Sequence, residues 1–403
     1  MYGPRAAQVS AVLAELPALG WRPAVVCLAP RPGGPHWPSS VTADPPPGVE
    51  YVRVPSPQDW LVVRAARRFI SSLRDRPDPA RVWIPAATRA AIATARRDAS
   101  AVVITFAQPW SDHLVGLRVQ RATGLPWIAH FSDPWSASPY ATPAQRAAWQ
   151  PIEAQVIERA TAVVFVTREA AEATMAAYPE AWRRKVAVVP HGFDSRRTPL
   201  PRDASPRARL RLVYTGRFYA GVRTPLTLLR AIACDKSLAA ALDVAFVGPH
   251  VEAYRRDAVS LGVDQAVTFT SRVTQAEAAA CAASADALLV VDAPSDAPSL
   301  FLPSKLVDYL AFRKPIVGIT PTRGASAALL ARLGCPVAAP DDVDAIAATL
   351  QRLVEQWRNG TLAVGPDFDR VAAEFDIRCT ARELSDVLVR AYGENPESKN
   401  PLP

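Results

Sequence analysis

"LVYTGRFYAGVRTPLTLLRAI", Leu212–Ile232, holds the turn on which the reading of the fold rests. A β-branched and aromatic run stops at Gly216, a basic turn carries Arg217 and Arg223, and an amphipathic Leu/Ala segment follows. Strand, glycine turn and helix in that order make half of a parallel βαβ unit. Backbone N–H groups in such a turn, with a helix start behind them, favour an anion. Two arginines there suggest a diphosphate rather than a single carboxylate. Standing alone, they could also be solvated loop charges.

Working outward, apolar runs too short and too β-branched for helices recur between amphipathic Ala/Leu/Arg segments. They are Ala24–Leu28, Ala101–Thr105, Pro126–Phe131, Ala162–Val166 and Val186–Pro190, then Arg211–Tyr214, Val244–Val247, Ala266–Thr270, Ala287–Val291 and Pro315–Ile319. Strands buried on both faces read this way, so the expectation is an α/β protein with parallel sheets. "SRRTPLPRDASPRAR", Ser195–Arg209, is rich in Pro, Arg and Ser and reads as a linker between the two series. The boundaries expected are a doubly wound domain over 1–194, the linker 195–209, a second such domain over 210–375, a helix over 376–392 and a disordered tail 393–403. A ligand is expected at the carboxyl ends of the strands, in a cleft that the two domains face.

The start is unusual, because Met1–Pro4 runs straight into a helical pattern, Ala6–Leu19, with no strand before it. Either the chain begins late or its start codon is misassigned, the second being favoured, and Gly3 is then a remnant of a phosphate-binding turn.

Composition excludes several classes. The 403 residues are 49% hydrophobic and 21% charged, ample for two cores, with a formal charge of +8. The arginines are dispersed among alanines, without aromatic-interleaved basic blocks, so no nucleic-acid partner is expected. Cys27, Cys234, Cys281, Cys335 and Cys379 stand singly. No metal or disulfide spacing results, and buried thiols in a reducing compartment are expected. No run reaches the ~18 apolar residues of a spanning helix, and the start lacks a signal-peptide layout, so a cytoplasmic protein is expected.

A second charged constellation lies in "PSKLVDYLAFRKPIVG", Pro303–Gly318. In a helix starting near Pro303, Leu306, Tyr309 and Leu310 face inward while Lys305, Asp308 and Phe312 share another side. Lys305 opposes the helix dipole in the first turn, which a bound phosphate would offset. Asp308 could accept two hydrogen bonds from a ribose diol. In isolation the two residues would make only an exposed ion pair worth a few tenths of a kcal/mol.

Together, "YTGRF…R…LLRAI", "VAFVGPH", "VTFTSRVTQAEAAACAASADALLVV" and "PSKLVDYLAFRKPIVG" closely resemble the donor half of retaining GT-B glycosyltransferases. The match is to family four, the sucrose-synthase and mannosyltransferase relatives. "PDPARVWIPAATRAA", "VVITFAQPWSDHLVGLRVQRATGLPWIAHFSDPW" and "VVPHGFD" resemble its acceptor domain, in the subgroup of bacterial polysaccharide and lipid-linked oligosaccharide assembly.

The resemblance implies Rossmann-like domains and a nucleotide-diphosphate-sugar co-substrate without any cofactor. Arg217 and Lys305 become clamps on the donor diphosphate, beside Gly216 and Ser304, with Arg223 one position away from the family's second basic residue. Asp308 falls where the family holds the nucleotide ribose. Ser271-Arg272-Val273 matches the turn whose backbone reads the base, and His250 lines the nucleotide pocket. Ser299, Leu300 and Phe301 fall on the loop facing the donor sugar, where Leu300 replaces the family's usual first glutamate. Retaining transfer in this fold lets the leaving phosphate take the acceptor's proton.

No Asp-x-Asp motif stands between a strand and the phosphates to hold a metal there, so metal independence is expected.

On the acceptor side, His130 and Asp133 in "AHFSDPW" end a strand, where they could orient the acceptor hydroxyl or stabilise the departing diphosphate. A turn-capping Asp133 beside a satisfied polar His130 is an equal alternative. His113, His130, His191 and His250 all fall near strand ends or loops, and His191 reads as structural. "WLVVRAARRFISSLRDR", Trp60–Arg76, is basic and amphipathic. It would suit a peripheral contact with an anionic membrane, and a lipid-linked acceptor, or equally an ordinary surface helix. The helical pattern Phe375–Tyr392 should cross back to the first domain, leaving a hinge near Asp194 and Phe375. The rivals to a transferase are a degenerate nucleotide-sugar-binding protein and an epimerase of the same fold.

Overall fold

The computed structural model describes residues 4–29, 46–57, 63, 77–98, 101–197, 207–271 and 273–393. Met1, Gly3, Arg272, linker residues 198–206, the tail from 394 and the amphipathic stretch 60–76 apart from Val63 lie outside the described residues. The chain divides into two units, Met1–Gly192 with Ile377–Pro403, and Phe193–Asp376.

In the first unit, β1 (Ala24–Leu28) pairs in parallel with β2 (Glu50–Val54). A separate parallel sheet runs β3 (Val103–Ala107), β4 (Trp127–Phe131), β5 (Ala162–Phe165), β6 (Val186–Val188). All five residues of β4 are buried, because helices cover both faces. On one face Val9, Leu13 and Leu16 of the N-terminal segment pack with Ile128, Val164 and with Leu384, Val387 and Leu388 of the helix Ile377–Gly393. On the other, Trp127, Phe131 and Phe165 meet Val156 and Ile157 of the helix Pro143–Arg159. The register sets Phe106 beside His130 and Ala107 beside Phe131, so β3 and β4 end level with each other.

The second unit has one parallel sheet, ordered β12-β11-β10-β7-β8-β9. Its strands are β7 (Leu210–Thr215), β8 (Leu242–Val247), β9 (Val267–Thr270), β10 (Ala287–Val291), β11 (Ile316–Ile319) and β12 (Val337–Ala338). From β7 the chain winds out to β9, then returns to the opposite side of β7 at β10. The reversal makes a topological switch point between β7 and β10, the place where such sheets bind ligands.

All ten apolar runs form strands, and the structure adds β2 and β12. The described strands of the first unit form two parallel sheets, of two and four strands. The N-terminal helix is Pro4–Glu15, continued by a 3₁₀ turn, Leu16–Leu19, where Pro17 cannot donate the next helical hydrogen bond. The cysteines also differ from expectation. All are free, but only Cys27 is buried and Cys234 is exposed, one residue beyond the helix Leu226–Ala233.

Gly116 makes a close approach possible. In the helix Ser111–Thr123, a Cβ there would lie 2.4 Å from Trp127 Nε1 and 2.7 Å from Thr105 Cγ2. Those neighbours are fixed, since Trp127 Nε1 donates to Thr105 Oγ1 at 3.0 Å. Gly116→Ala should therefore destabilise the protein by ~1–3 kcal/mol. It should lower the urea midpoint at unchanged slope, and an unshifted midpoint would contradict this packing.

Candidate active site

β7 ends at Thr215, and Gly216 follows with φ +132. A Cβ at Gly216 would sit 2.9 Å from Lys305 Nζ, and one at Gly248 would sit 2.5 Å from Gly216 O. The ends of β7 and β8 thus abut through glycine, and the helix Ser304–Leu310 delivers Lys305 against that turn. Leu306, Val307, Tyr309 and Leu310 are buried and anchor this helix. The Tyr309 hydroxyl receives the Thr215 N–H at 2.8 Å, locking helix to strand end.

The Lys305 ammonium is covered, and among the described residues it has no hydrogen-bond partner. It lies 3.8 Å above the centroid of the Tyr214 ring, a cation–π contact. Tyr214 is fixed in turn by stacking on Phe218 at 4.4 Å and by donating to Arg217 O at 3.0 Å. Burial, and then the charge of Arg223, holds the Lys305 ammonium well below the usual lysine range. No ion pair joins Lys305 to Asp308 among the described residues, and Asp308 is exposed.

Arg223, not Arg217, is the cation that bears on Lys305. A narrow turn explains this, since Tyr219 and Arg223 exchange backbone hydrogen bonds at 2.8 Å. The turn folds Arg223 back, and its Nη2 donates to Arg217 O at 3.0 Å. Arg223 Nη1 is 3.7 Å from Asp292 Oδ1, while its Nε is buried without a partner among the described residues. Arg217 is exposed, with its guanidinium 6.0 Å from the centroid of the Tyr219 ring.

Asp292, directly after β10, escaped the sequence reading. It is buried and accepts from Ser326 Oγ at 3.0 Å. Burial pushes its carboxyl up, against the opposing charges of Arg223 and Lys305.

The other residues named from sequence surround this cluster or lie apart from it. Ser299 bridges to Gly324, with Ser299 N–H donating to Arg323 O and Ser299 O accepting from Ala325 N–H. Phe301 O lies 3.3 Å from Ser326 Oγ, and Leu300 between them is half-buried. Ser304 opens the Lys305 helix, His250 is exposed in a left-handed conformation after β8, and Val273 packs on the core beside the capping residue Thr274.

The first unit carries a polar cluster of its own. Arg5, in the opening turn of the N-terminal helix, donates from Nε to Ala107 O at 2.9 Å and approaches His130 Nδ1 with Nη2 at 2.9 Å. His130 must accept at Nδ1, so its proton sits on Nε2. Burial, then Arg5 and His191, keeps His130 well below the ordinary histidine range. Asp133 receives a 3.4 Å contact from Gln108 Nε2. Arg5, His130 and His191 line one small pocket with Gln8, Phe106 and Thr380. His113 sits inside the helix Ser111–Thr123 rather than at a strand end, buried with Nδ1 2.8 Å from Thr105 Oγ1. Glu153, also unforeseen, is fully buried and accepts from Tyr178 Oη at 2.7 Å and from the Ser136 hydroxyl, bracing the loop after Asp133. Among the described residues no group of three or more His, Cys, Asp or Glu gathers as a metal site.

Two parallel-sheet α/β units, the second carrying buried cations at its switch point, define a GT-B type protein. HepE from Anabaena, solved with UDP and glucose, is similar at 14% identity, with 96% of each chain covered and a TM-score of 0.67. Sucrose-phosphate synthase from Thermosynechococcus elongatus is similar at 16% identity, covering 97% of this chain and 94% of that one, TM-score 0.72. WaaG, a glycosyltransferase involved in lipopolysaccharide biosynthesis, matches at 14% identity over 96% of each chain, TM-score 0.61. No curated protein matches the sequence significantly. Residues 6–192 match the family described as "Glycosyl transferase 4-like domain", and 209–356 match "Glycosyl transferases group 1". The chain belongs to the glycosyltransferases built from these two domains, and is a glycosyltransferase.

Burial lowers the basicity of His130, and the Arg5 contact lowers it further. With Arg5→Gln the cationic neighbour is lost, so the folded-state value of His130 should rise toward the ordinary range near 6.5. An NMR titration of the His130 ring is expected to show protonation beginning at higher pH than in wild type. Identical titrations would contradict the assigned contact.

Proposed function

We propose that the protein transfers a sugar from a nucleotide-diphosphate-sugar donor to a glycan or lipid-linked acceptor, with retention of anomeric configuration, in cell-surface polysaccharide assembly. One observation carries the donor assignment: Lys305 Nζ and Arg223 Nε are both buried without hydrogen-bond partners among the described residues at the switch point. Buried unsatisfied cationic groups are costly and rare, and a diphosphate would satisfy both. HepE, solved with UDP and glucose, and WaaG, involved in lipopolysaccharide biosynthesis, support the donor class and the polysaccharide setting.

In this reading Lys305 and Arg223 hold the diphosphate, and exposed Arg217 closes on it from the tip of the turn. Asp308 takes the ribose diol. Ser299–Phe301 flanks the sugar, with Leu300 supplying an apolar wall where an acid would otherwise stand. The bond from the anomeric carbon to the β-phosphate oxygen breaks while the acceptor oxygen bonds to that carbon on the same face. The acceptor's proton passes to the departing phosphate oxygen. Neutralising that leaving group is then the protein's main chemical contribution, with no metal required. His130 and Asp133 are assigned to the acceptor hydroxyl, with His130 neutral and its Nε2–H available as a donor.

Thermal-shift measurement with UDP-, GDP-, ADP- and dTDP-sugars is expected to raise the melting temperature with at least one of them, since only the native state binds. No shift with any would favour a degenerate protein. Lys305→Ala should cut turnover by roughly 10²–10³-fold at a nearly unchanged melting temperature. Near wild-type turnover would remove Lys305 from the clamp.

A further inference from the structure

Resting on the donor-site reading above, we propose that Asp292 is a positioning residue. It acts as the internal counter-ion of Arg223 and Lys305, holding both cations in place before the donor binds and yielding them to its diphosphate.

Asp292 leaves β10 with its carboxylate enclosed, 8% exposed. Its two oxygens have different partners. Oδ2 accepts the Ser326 hydroxyl at 3.0 Å, and Oδ1 faces Arg223 Nη1 at 3.7 Å. The second distance is too long for a hydrogen bond yet short for two charges. Arg223 is thus attracted without being captured.

The groups around the carboxylate come from every neighbouring element. Arg223 arrives from the turn after β7, Tyr214 from β7, Lys305 from its helix, Thr320 from the end of β11 and Ser326 from the helix Ala325–Arg332. Two cations face one acid, which leaves a net positive charge for an incoming anion. Once a diphosphate sits on the cations, however, Asp292 opposes it. An acid in that position is unhelpful for affinity alone. It is useful for keeping two buried cations from repelling each other apart, and for letting the product diphosphate leave. Ser326 adds a mechanical link, because its hydroxyl lies 3.3 Å from Phe301 O in the segment that flanks the sugar.

A residue that merely props the fold would weaken ligand binding when changed. A counter-ion predicts the opposite sign. Calorimetric titration of the full-length chain with UDP, GDP, ADP and dTDP separates the two. Asp292→Asn keeps the shape and removes the charge. Whichever nucleotide the wild type takes should bind this variant about tenfold more tightly, as loss of one like-charge repulsion in a half-screened site implies. In turnover, kcat and the donor KM should both fall, because product leaves more slowly. Asp292→Glu, which restores the charge, should return affinity toward wild type. If the Asn variant does not fold, Asp292→Ser carries the same expectation. Equal or weaker binding by a neutral variant that melts like wild type would overturn the counter-ion role alone. Absence of binding by the wild type to all four nucleotides would overturn the donor-site reading, and this role with it.

Discussion

The ammonium of Lys305, covered and resting on the Tyr214 ring without a hydrogen-bond acceptor among the described residues, is the contact around which the second unit is arranged. A charge buried without partners is expensive unless something else offsets it. Tyr214 offsets part through its ring face, and Asp292 part through space. Gly216 is favoured by its φ of +132, which other residues rarely adopt, and a Cβ there would also lie 2.9 Å from Lys305 Nζ. The topology explains why these residues meet. β7 and β10 are neighbours from which the chain departs in opposite directions, so the loops after them diverge and leave a crevice between their ends. Arg223 comes from the loop after β7, and Asp292 and the Lys305 helix follow β10.

The first unit solves a different problem with similar means. Arg5 is tied to a strand-end carbonyl and to an imidazole nitrogen, and no carboxylate among the described residues lies within ion-pair distance of it. Burial keeps His130 neutral, the Arg5 guanidinium, itself lowered to about 10 by burial, adds to that, and the contact fixes the His130 tautomer. The tautomer of His130 is therefore fixed by the N-terminal helix, while its neutrality comes first from burial in the sheet and then from Arg5. Below, Glu153 holds Ser136 and Tyr178 and so stiffens the segment bearing Asp133.

Much of this was legible in the sequence, for physical reasons that differ by residue. Doubly buried strands such as Trp127–Phe131 declare themselves because both faces must be apolar. Glu50–Val54 did not, because its charged residues, Glu50 and Arg53, fall three apart and break both the alternating and the doubly apolar strand patterns, and Val337–Ala338 is too short to carry any pattern. Lys305 was legible as a misplaced charge in a first helical turn. Its real setting, over an aromatic ring from another strand, was not, since Tyr214 lies far away in sequence. Arg5 and His130 are 125 positions apart, and no local spacing announces their contact. Asp292 looked like an ordinary loop acid in a Pro/Ser/Asp stretch, and only burial beside two cations gives it meaning. The family pattern placed weight on Arg217, whereas turn geometry gives Arg223 the inward position.

Proton linkage tests the central claim, that the buried cations form the diphosphate seat, most directly. Lys305 holds its proton weakly in the free protein, and an adjacent phosphate would raise that affinity. The sign follows: if binding raises the lysine's pKa, complex formation takes up a proton and weakens as pH rises through the raised value. The measurement is calorimetry of nucleoside diphosphate binding across pH 8 to 10, where the terminal phosphate is itself fully ionised, repeated in buffers of different ionisation enthalpy. The account predicts net proton uptake by the wild type and none by Lys305→Met. Binding with no proton exchange, or with equal uptake in both proteins, would contradict it.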